Sequence, residues 1–247
     1  MTTNFELDDT LLYEYMNNFF GYGNFNGKYW FIGMEDGSDG TIKEVVHRLN
    51  HWKVRGKVTI DDLNAQHKQF GIQQFIGPKA RLQPTWSKLI RILLSAEGHN
   101  VDREMVREFQ REELGVHTGN NCILELLPLP SKSIKKWIYN EHSSIPELIN
   151  RDVYKKTWSK PRSAAIRRFI EIHKPRYVVF YSSNQEYKFW WKQITGSATQ
   201  WKSIDKVHIT HNNDTIFAIT PHPVAYGITN EHFHNLGRLL VQEQNRL

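Results

Sequence analysis

The sequence predicts an α/β fold of three layers, with a central, mostly parallel four-stranded sheet covered by helices on both faces. Two observations carry that expectation. Short runs rich in aromatic and β-branched residues alternate with segments whose apolar residues recur at helical spacing. Each short run also ends in a polar or Gly/Pro-containing stretch before the next helix begins. The 247 residues contain no internal repeat, low-complexity tract or Pro/Gly linker, so one domain over 1–247 is expected.

Leu11, Leu12, Tyr15, Met16 and Phe19 follow the capping candidates Asp8, Asp9 and Thr10, and Gly21 offers a stop, which predicts a helix over 9–20. Residues 29–32 form an apolar run suited to a buried parallel strand, and an acidic, Gly-rich loop follows at 33–40. Residues 38–80 read as an elaboration beside the site, with amphipathic helices over 42–52 and 60–69 and no strand. Pro84 and Thr85 precede Leu89, Ile90, Leu93 and Leu94, predicting a helix that ends at Gly98, and 101–114 forms a more charged one. Cys122 to Leu127 make the second strand, running into a loop at 128–133 with a helix starting at Ile134. A helix over 161–173, begun by Pro161, leads to a third strand at 177–181 and a polar turn at 182–184. Residues 207–210 and 215–220 pair as a hairpin, and the second run enters Pro221, His222 and Pro223 before a last helix over 230–242. Four strand-end loops then become neighbours at one edge.

Lys and Arg number 32 against 26 Asp and Glu, leaving a formal charge of +6 that suits a polyanionic partner if gathered on one face. Cys122 is the only cysteine, which excludes an intramolecular disulfide, a thiolate zinc site and a four-cysteine iron–sulfur cluster, and fits a reducing cytoplasm. No window approaches the roughly twenty apolar residues of a membrane span, and the acidic start at 1–9 lacks the basic and apolar regions of a signal peptide. His208, His211, His232 and His234 lack an identifiable third ligand, so no metal and no cofactor are expected. Nothing points to an obligate protein partner.

The loop at 33–37, Gly-Met-Glu-Asp-Gly after an aromatic strand, resembles the first motif of the uracil-DNA glycosylase superfamily, a Gly followed by an acidic, Asn or Ala residue and usually a Pro. His222-Pro223, after the run at 215–220, resembles the second, a His-Pro pair near the chain end. The apolar helix at 85–98 and the unit from Lys174 to Tyr181 are similar to elements of the thermophilic-type branch, so the resemblance covers most of the chain. Two departures stand out. Asp36 replaces the usual proline, and that branch's iron–sulfur cysteines are absent.

The resemblance implies a glycosidic-bond hydrolase acting on a base flipped out of DNA, with Glu35 orienting the water or stabilising the sugar cation and His222 bonding the departing base. Asp36 is the alternative carboxylate if the register is one residue off. It further implies a base-reading side chain on the second strand, Asn121 in one register or Glu125 in the other; a carboxylate in so apolar a run is costly unless it has a task. Phe75, Leu82 and Trp86 lie where the family keeps its stacking residue. Ser131, Lys132 and Ser133 at a helix start make a phosphate clamp, Tyr226 sits in the place of the DNA-wedging loop, and Lys155 and Lys156 open a basic stretch that continues through Lys160, Arg162, Arg167 and Arg168. The competing expectation is a catalytically silent nucleic-acid-binding module on the same fold. A nucleotide hydrolase or deaminase lacks support, because neither a Walker loop nor a zinc-deaminase motif is present. The excised base stays open between uracil-like and hypermodified pyrimidines, and the role between repair and anti-phage defence.

Overall fold

The computed structural model describes residues 6–133, 135–196 and 200–246. Among them are eight α-helices and one mixed sheet of eight strands. The sheet order is β3-β1-β4-β2-β5-β8-β7-β6, where β1 is Gly21–Gly23, β2 Tyr29–Gly37, β3 Ile60–Asp61, β4 Asn121–Ser131, β5 Tyr177–Phe180, β6 Lys202–Ile204, β7 Val207–His211 and β8 Ile216–Ile219. The inner strands β4, β2, β5 and β8 run parallel to one another. They are the four expected strands. The hairpin expected from 207–210 and 215–220 is present as β7 and β8, and the sheet exceeds the expected four strands because β1, β6 and β7 add antiparallel neighbours and β3 pairs parallel with β1 at the far edge. Strands of two or three residues carry almost no periodicity, which is why 21–23 and 60–61 read as helix stop and helix start.

Four successive β2 residues, Tyr29, Trp30, Phe31 and Ile32, are buried. Strand side chains alternate between faces, so both faces of the sheet are covered. Helix α1 (Asp9–Asn18) starts where Asp8 accepts from the Leu11 N–H at 3.0 Å. Thr41, Asp62, Gln83 and Asp102 cap α2 (Ile42–Val54), α3 (Leu63–Gln69), α4 (Pro84–Ala96) and α5 (Arg103–Glu112) in the same way. Asn184 caps α7 (Gln185–Thr195), and α8 (Asn230–Gln244) packs on α4. At that crossing a Cβ on Gly237 would stand 2.3 Å from the Ile92 carbonyl oxygen, so only glycine permits the approach.

Helix α6 corrects the sequence expectation. It spans Arg151–His173, capped by Asn150 accepting from the Val153 N–H at 2.9 Å, and Pro161 lies inside it. An interior proline costs about 3 kcal/mol. Burial of Tyr154, Trp158, Arg162, Ile166 and Ile170, four residues apart on one face, offsets that cost. The helix expected from Ile134 is also absent: Ile134 lies outside the described residues, and 135–138 lead without an α-helix into a 3-10 turn at Tyr139–Glu141. No helix among the described residues is long and apolar enough to cross a membrane. Residues 1–5 of the acidic start lie outside the described residues.

Candidate functional site

Because β4, β2, β5 and β8 are parallel, their carboxyl ends share one edge of the sheet. Strand β2 is longer than β5: its pairing with β5 ends at Ile32 opposite Phe180, whereas its pairing with β4 continues to Gly37 opposite Ser131. Residues 33–37 therefore project past the end of β5. The expected loop residues Glu35 and Asp36 are in strand conformation, at a shift in the register with β4.

Glu35 shares a face with Gly33, and Glu125 on β4 stands opposite Gly33 in register. Tyr181, one residue past β5, reaches the same place and donates its hydroxyl to Glu125 Oε1 at 2.6 Å. Gly33 is needed here. A Cβ at that position would lie 2.2 Å from Tyr181 Oη and 2.3 Å from Glu125 Oε2. His222 follows β8, with its ring centroid 6.3 Å from that of Tyr181. Its Nδ1 accepts from the Val224 N–H at 3.4 Å, an orientation that leaves Nε2–H as the donor. Burial lowers the His222 pKa, which favours the neutral imidazole.

The carboxyl groups around this cleft have different surroundings. Glu35 Oε1 accepts from the Arg151 guanidinium at the start of α6, while Oε2 is buried without a hydrogen-bond partner. Arg151 also donates to Ser131 Oγ at 2.8 Å and lies 5.8 Å from the Trp137 ring centroid. Glu125 has no such cation. Burial, reinforced by the negative charge of Asp36, pushes its carboxyl up to about 8, and its Oε2 is likewise buried and unpartnered. At neutral pH the Glu125 side chain is thus mainly a neutral acid, a hydrogen-bond donor as well as an acceptor.

Several expected site residues are elsewhere or otherwise engaged. Asn121 begins β4, at the opposite end of the strand from the cleft, and its amide accepts from the Gly115 N–H at 2.8 Å and donates to the Glu113 carbonyl at 2.9 Å. It braces a turn, which leaves Glu125 as the strand's candidate for the cleft. Asp36 pairs with Arg48 of α2 at 2.5 Å while Glu35 pairs with Arg151 of α6, so the two neighbouring carboxylates take different cations and do not form one dyad. Phe75 and Trp86 pack edge to face on each other, 5.4 Å between centroids, and both contact His67. Leu82 packs half-buried on the core.

Of the residues expected to meet phosphate, Ser131 Oγ lies between Arg151 and the Ser133 carbonyl, and among the described residues no α-helix start directly follows, so the expected clamp of Ser131, Lys132 and Ser133 lacks its backbone donors. Lys132 is exposed, with its side-chain stem against Gly40, and Ser133 is exposed. Tyr226 projects fully into solvent from the loop after His222. Lys156, Lys160, Arg167 and Arg168 are exposed, whereas Lys155 pairs with Glu186 at 2.9 Å. Arg162 leaves the basic stretch altogether. It is buried under Phe20 and donates to the carbonyls of Glu125, Leu126, Met16 and Phe19.

A groove of about 390 Å³ opens between α6 and α7, lined by Asp152, Lys155, Lys156, Glu186, Phe189 and Trp190. Three of the four suspected histidines have other partners: His232 meets Thr220 Oγ1 at 2.7 Å, His234 meets Ser95 Oγ at 2.9 Å, and His208 meets Lys188 Nζ at 2.9 Å. Among the described residues no three His, Cys, Asp or Glu side chains are grouped to hold a metal ion. Arg151 and Tyr181 were not singled out from the sequence. The signal for Arg151 was its place directly after the capping residue Asn150; Tyr181 gave none beyond ending an apolar run. No family model matches the chain, and no curated protein matches it.

Proposed function

We propose that the chain is a monofunctional DNA glycosylase of the uracil-DNA glycosylase type, hydrolysing the bond between deoxyribose and a base flipped into the strand-end cleft. One observation carries the reading: three parallel strands bring Glu35 near the end of β2, Glu125 within β4 opposite Gly33, and His222 after β8 to the region of Tyr181. Cleavage of a glycosidic bond develops positive charge on the sugar and negative charge on the base. Glu35 supplies the anion for the first. Its pairing with Arg151 suits it to electrostatic stabilisation and to holding a water at the free Oε2 more than to removing a proton outright. His222 Nε2–H and the Glu125 acid supply donors for the departing base. Lys132, Lys156, Lys160 and Tyr226, all exposed, are the residues available for phosphate and gap contacts.

The test is single-turnover base release from a panel of uracil-containing, mismatched and phage-modified DNAs, with folding checked by thermal melting. Glu35→Gln and His222→Ala each slow release while DNA binding persists, and the His222 penalty shrinks for bases that depart easily as anions. Full activity in both variants ends the reading. The silent-module alternative draws on the Glu35–Arg151 pair, which neutralises the anion, and predicts DNA binding with no release from any substrate.

A further inference from the structure

The groove of about 390 Å³ between the opening turns of α6 and α7 is of the size that takes a small ligand. It begins beside the strand-end cleft. Asp152 in its lining follows Arg151, which holds Glu35, and Glu186 on the other wall precedes Tyr187, a residue close enough for the charges of Arg151 and Glu125 to act on its hydroxyl. Two rings form the apolar wall. Phe189 is 55% exposed, and the Trp190 ring meets it edge to face with 4.9 Å between centroids. A single exposed ring is ordinary on a protein surface, whereas one that walls a groove and is braced by a second ring is a platform for a flat partner.

The charges around the groove are unevenly committed. Lys155 stands between Glu186 at 2.9 Å and Asp152 at 3.8 Å, so both acids of the lining are directed at one cation. Lys156 in the lining, Lys160 one turn further along α6 and Lys192 three residues after Phe189 are exposed and make no ion pair among the described residues. The uncommitted charge along the groove is therefore positive. Rings beside uncommitted lysines complement a polyanion that also offers flat π-faces, which is unpaired nucleic acid. Duplex DNA matches the lysines but not the rings, because its bases are already stacked on one another.

We propose that the groove between α6 and α7 binds an unpaired stretch of DNA flanking the excised base, with one base stacked on Phe189 and phosphates along Lys156, Lys160 and Lys192, so that the protein prefers single-stranded to duplex substrate. The inference rests on the glycosylase reading and specifies the form of its substrate. Lys155 is held in reserve by its two acids, and Glu186 is the residue that limits the groove's affinity for phosphate.

The probe is an oligothymidine of about twenty nucleotides, longer than one binding site, whose affinity is measured by fluorescence anisotropy alone and annealed to its complement. The wild type binds the single strand about fivefold or more tighter than the duplex. Phe189→Ala removes that margin and leaves duplex binding unchanged, whereas Phe189→Tyr, which keeps a ring, retains it; thermal melting checks that both variants fold. Neutralising Lys156 and Lys160 to Gln flattens the dependence of log affinity on log salt by about 0.7 for each lysine. Glu186→Gln frees Lys155 and tightens single-strand binding, a gain absent from a groove that only separates two helices. Equal affinity for strand and duplex, or a Phe189→Ala variant that binds the single strand as the wild type does, overturns the inference. So does a Phe189→Ala variant altered in its sedimentation and not in its DNA binding, the result of a second copy of the chain covering the groove. Base release separates the two claims. Release by the wild type together with indifference of binding to Phe189 removes the groove and leaves the glycosylase, whereas single-strand binding that depends on Phe189 without release from any substrate removes the glycosylase and leaves a single-strand-binding protein.

Discussion

Glu35 and Glu125 stand on adjacent parallel strands, on one face of the sheet and two residues apart in register, yet their surroundings give them opposite characters. Glu35 lies beyond the end of β5, where the first residue of α6 can swing a guanidinium onto it. Glu125 lies one step deeper, beside Tyr181 and under Gly33, and the nearest guanidinium, that of Arg162, is bonded to main-chain carbonyls instead. The same chemical group becomes a held anion in one place and a neutral acid in the other. What differs is which neighbouring element reaches the strand end, and that is set by the unequal lengths of β2 and β5.

The largest expected effect falls on the anion. Glu35→Gln keeps the size of the side chain and removes its charge, and loss of such an electrostatic contact in the transition state costs about 10² to 10³ in single-turnover base release. A larger loss in Glu125→Gln than in Glu35→Gln would reverse the assignment of the two carboxyls.

Arg151→Gln sharpens the comparison by making the two sites alike, each then lacking a cation. Removing one partner of a buried ion pair costs about 3–5 kcal/mol. Exposures of 10% and 12% for the Arg151 and Glu35 side chains let some water in, so urea unfolding should give a value toward the low end of that range. No loss of stability would mean that the pair is dispensable and that Glu35 is not specially held.

For Glu125 the linkage runs the other way from an ordinary carboxylate. Its pKa is raised on folding from 4.5 to about 8, so between these values the native state holds a proton that the unfolded state has lost. Stability from this group is complete below 4.5, falls by about 1.4 kcal/mol per pH unit as pH rises through the window, and levels off above about 8. Urea unfolding of wild type and Glu125→Gln from about pH 4.5 to about pH 8.5 should show the variant gaining on the wild type with that sign. A difference that stays flat with pH would place Glu125 among ordinary ionised carboxylates.

The smallest effect is expected at Asp36. Its carboxylate is already paired with Arg48, so Asp36→Asn should change base release by less than about tenfold while lowering the melting temperature through the lost ion pair. A dead Asp36 variant beside an active Glu35 variant would show that the strand presents the neighbouring carboxylate to substrate.

The inner strands, most helix starts and the strand ends bearing Glu35, Glu125 and His222 were legible because each is written within a few residues: an apolar run, a capping side chain, a turn. Asn150 was such a signal too, but the presence of Pro161 drew the start of α6 ten residues downstream, since a proline reads locally as a first-turn residue and only burial along the whole helix makes an interior one tolerable. The edge strands were illegible because a pair of residues has no period. The pairings that give the cleft its chemistry join residues far apart in the chain: 116 positions separate Glu35 from Arg151, and 56 separate Glu125 from Tyr181. Sequence alone marked the strands that carry the acidic groups and the histidine, because an apolar run and the turn that ends it are written locally. Tertiary structure alone decided which acid is charged, which carries a proton and which, like Asp36, is paired with a different helix, because burial and a cation's reach depend on where distant helices come to rest.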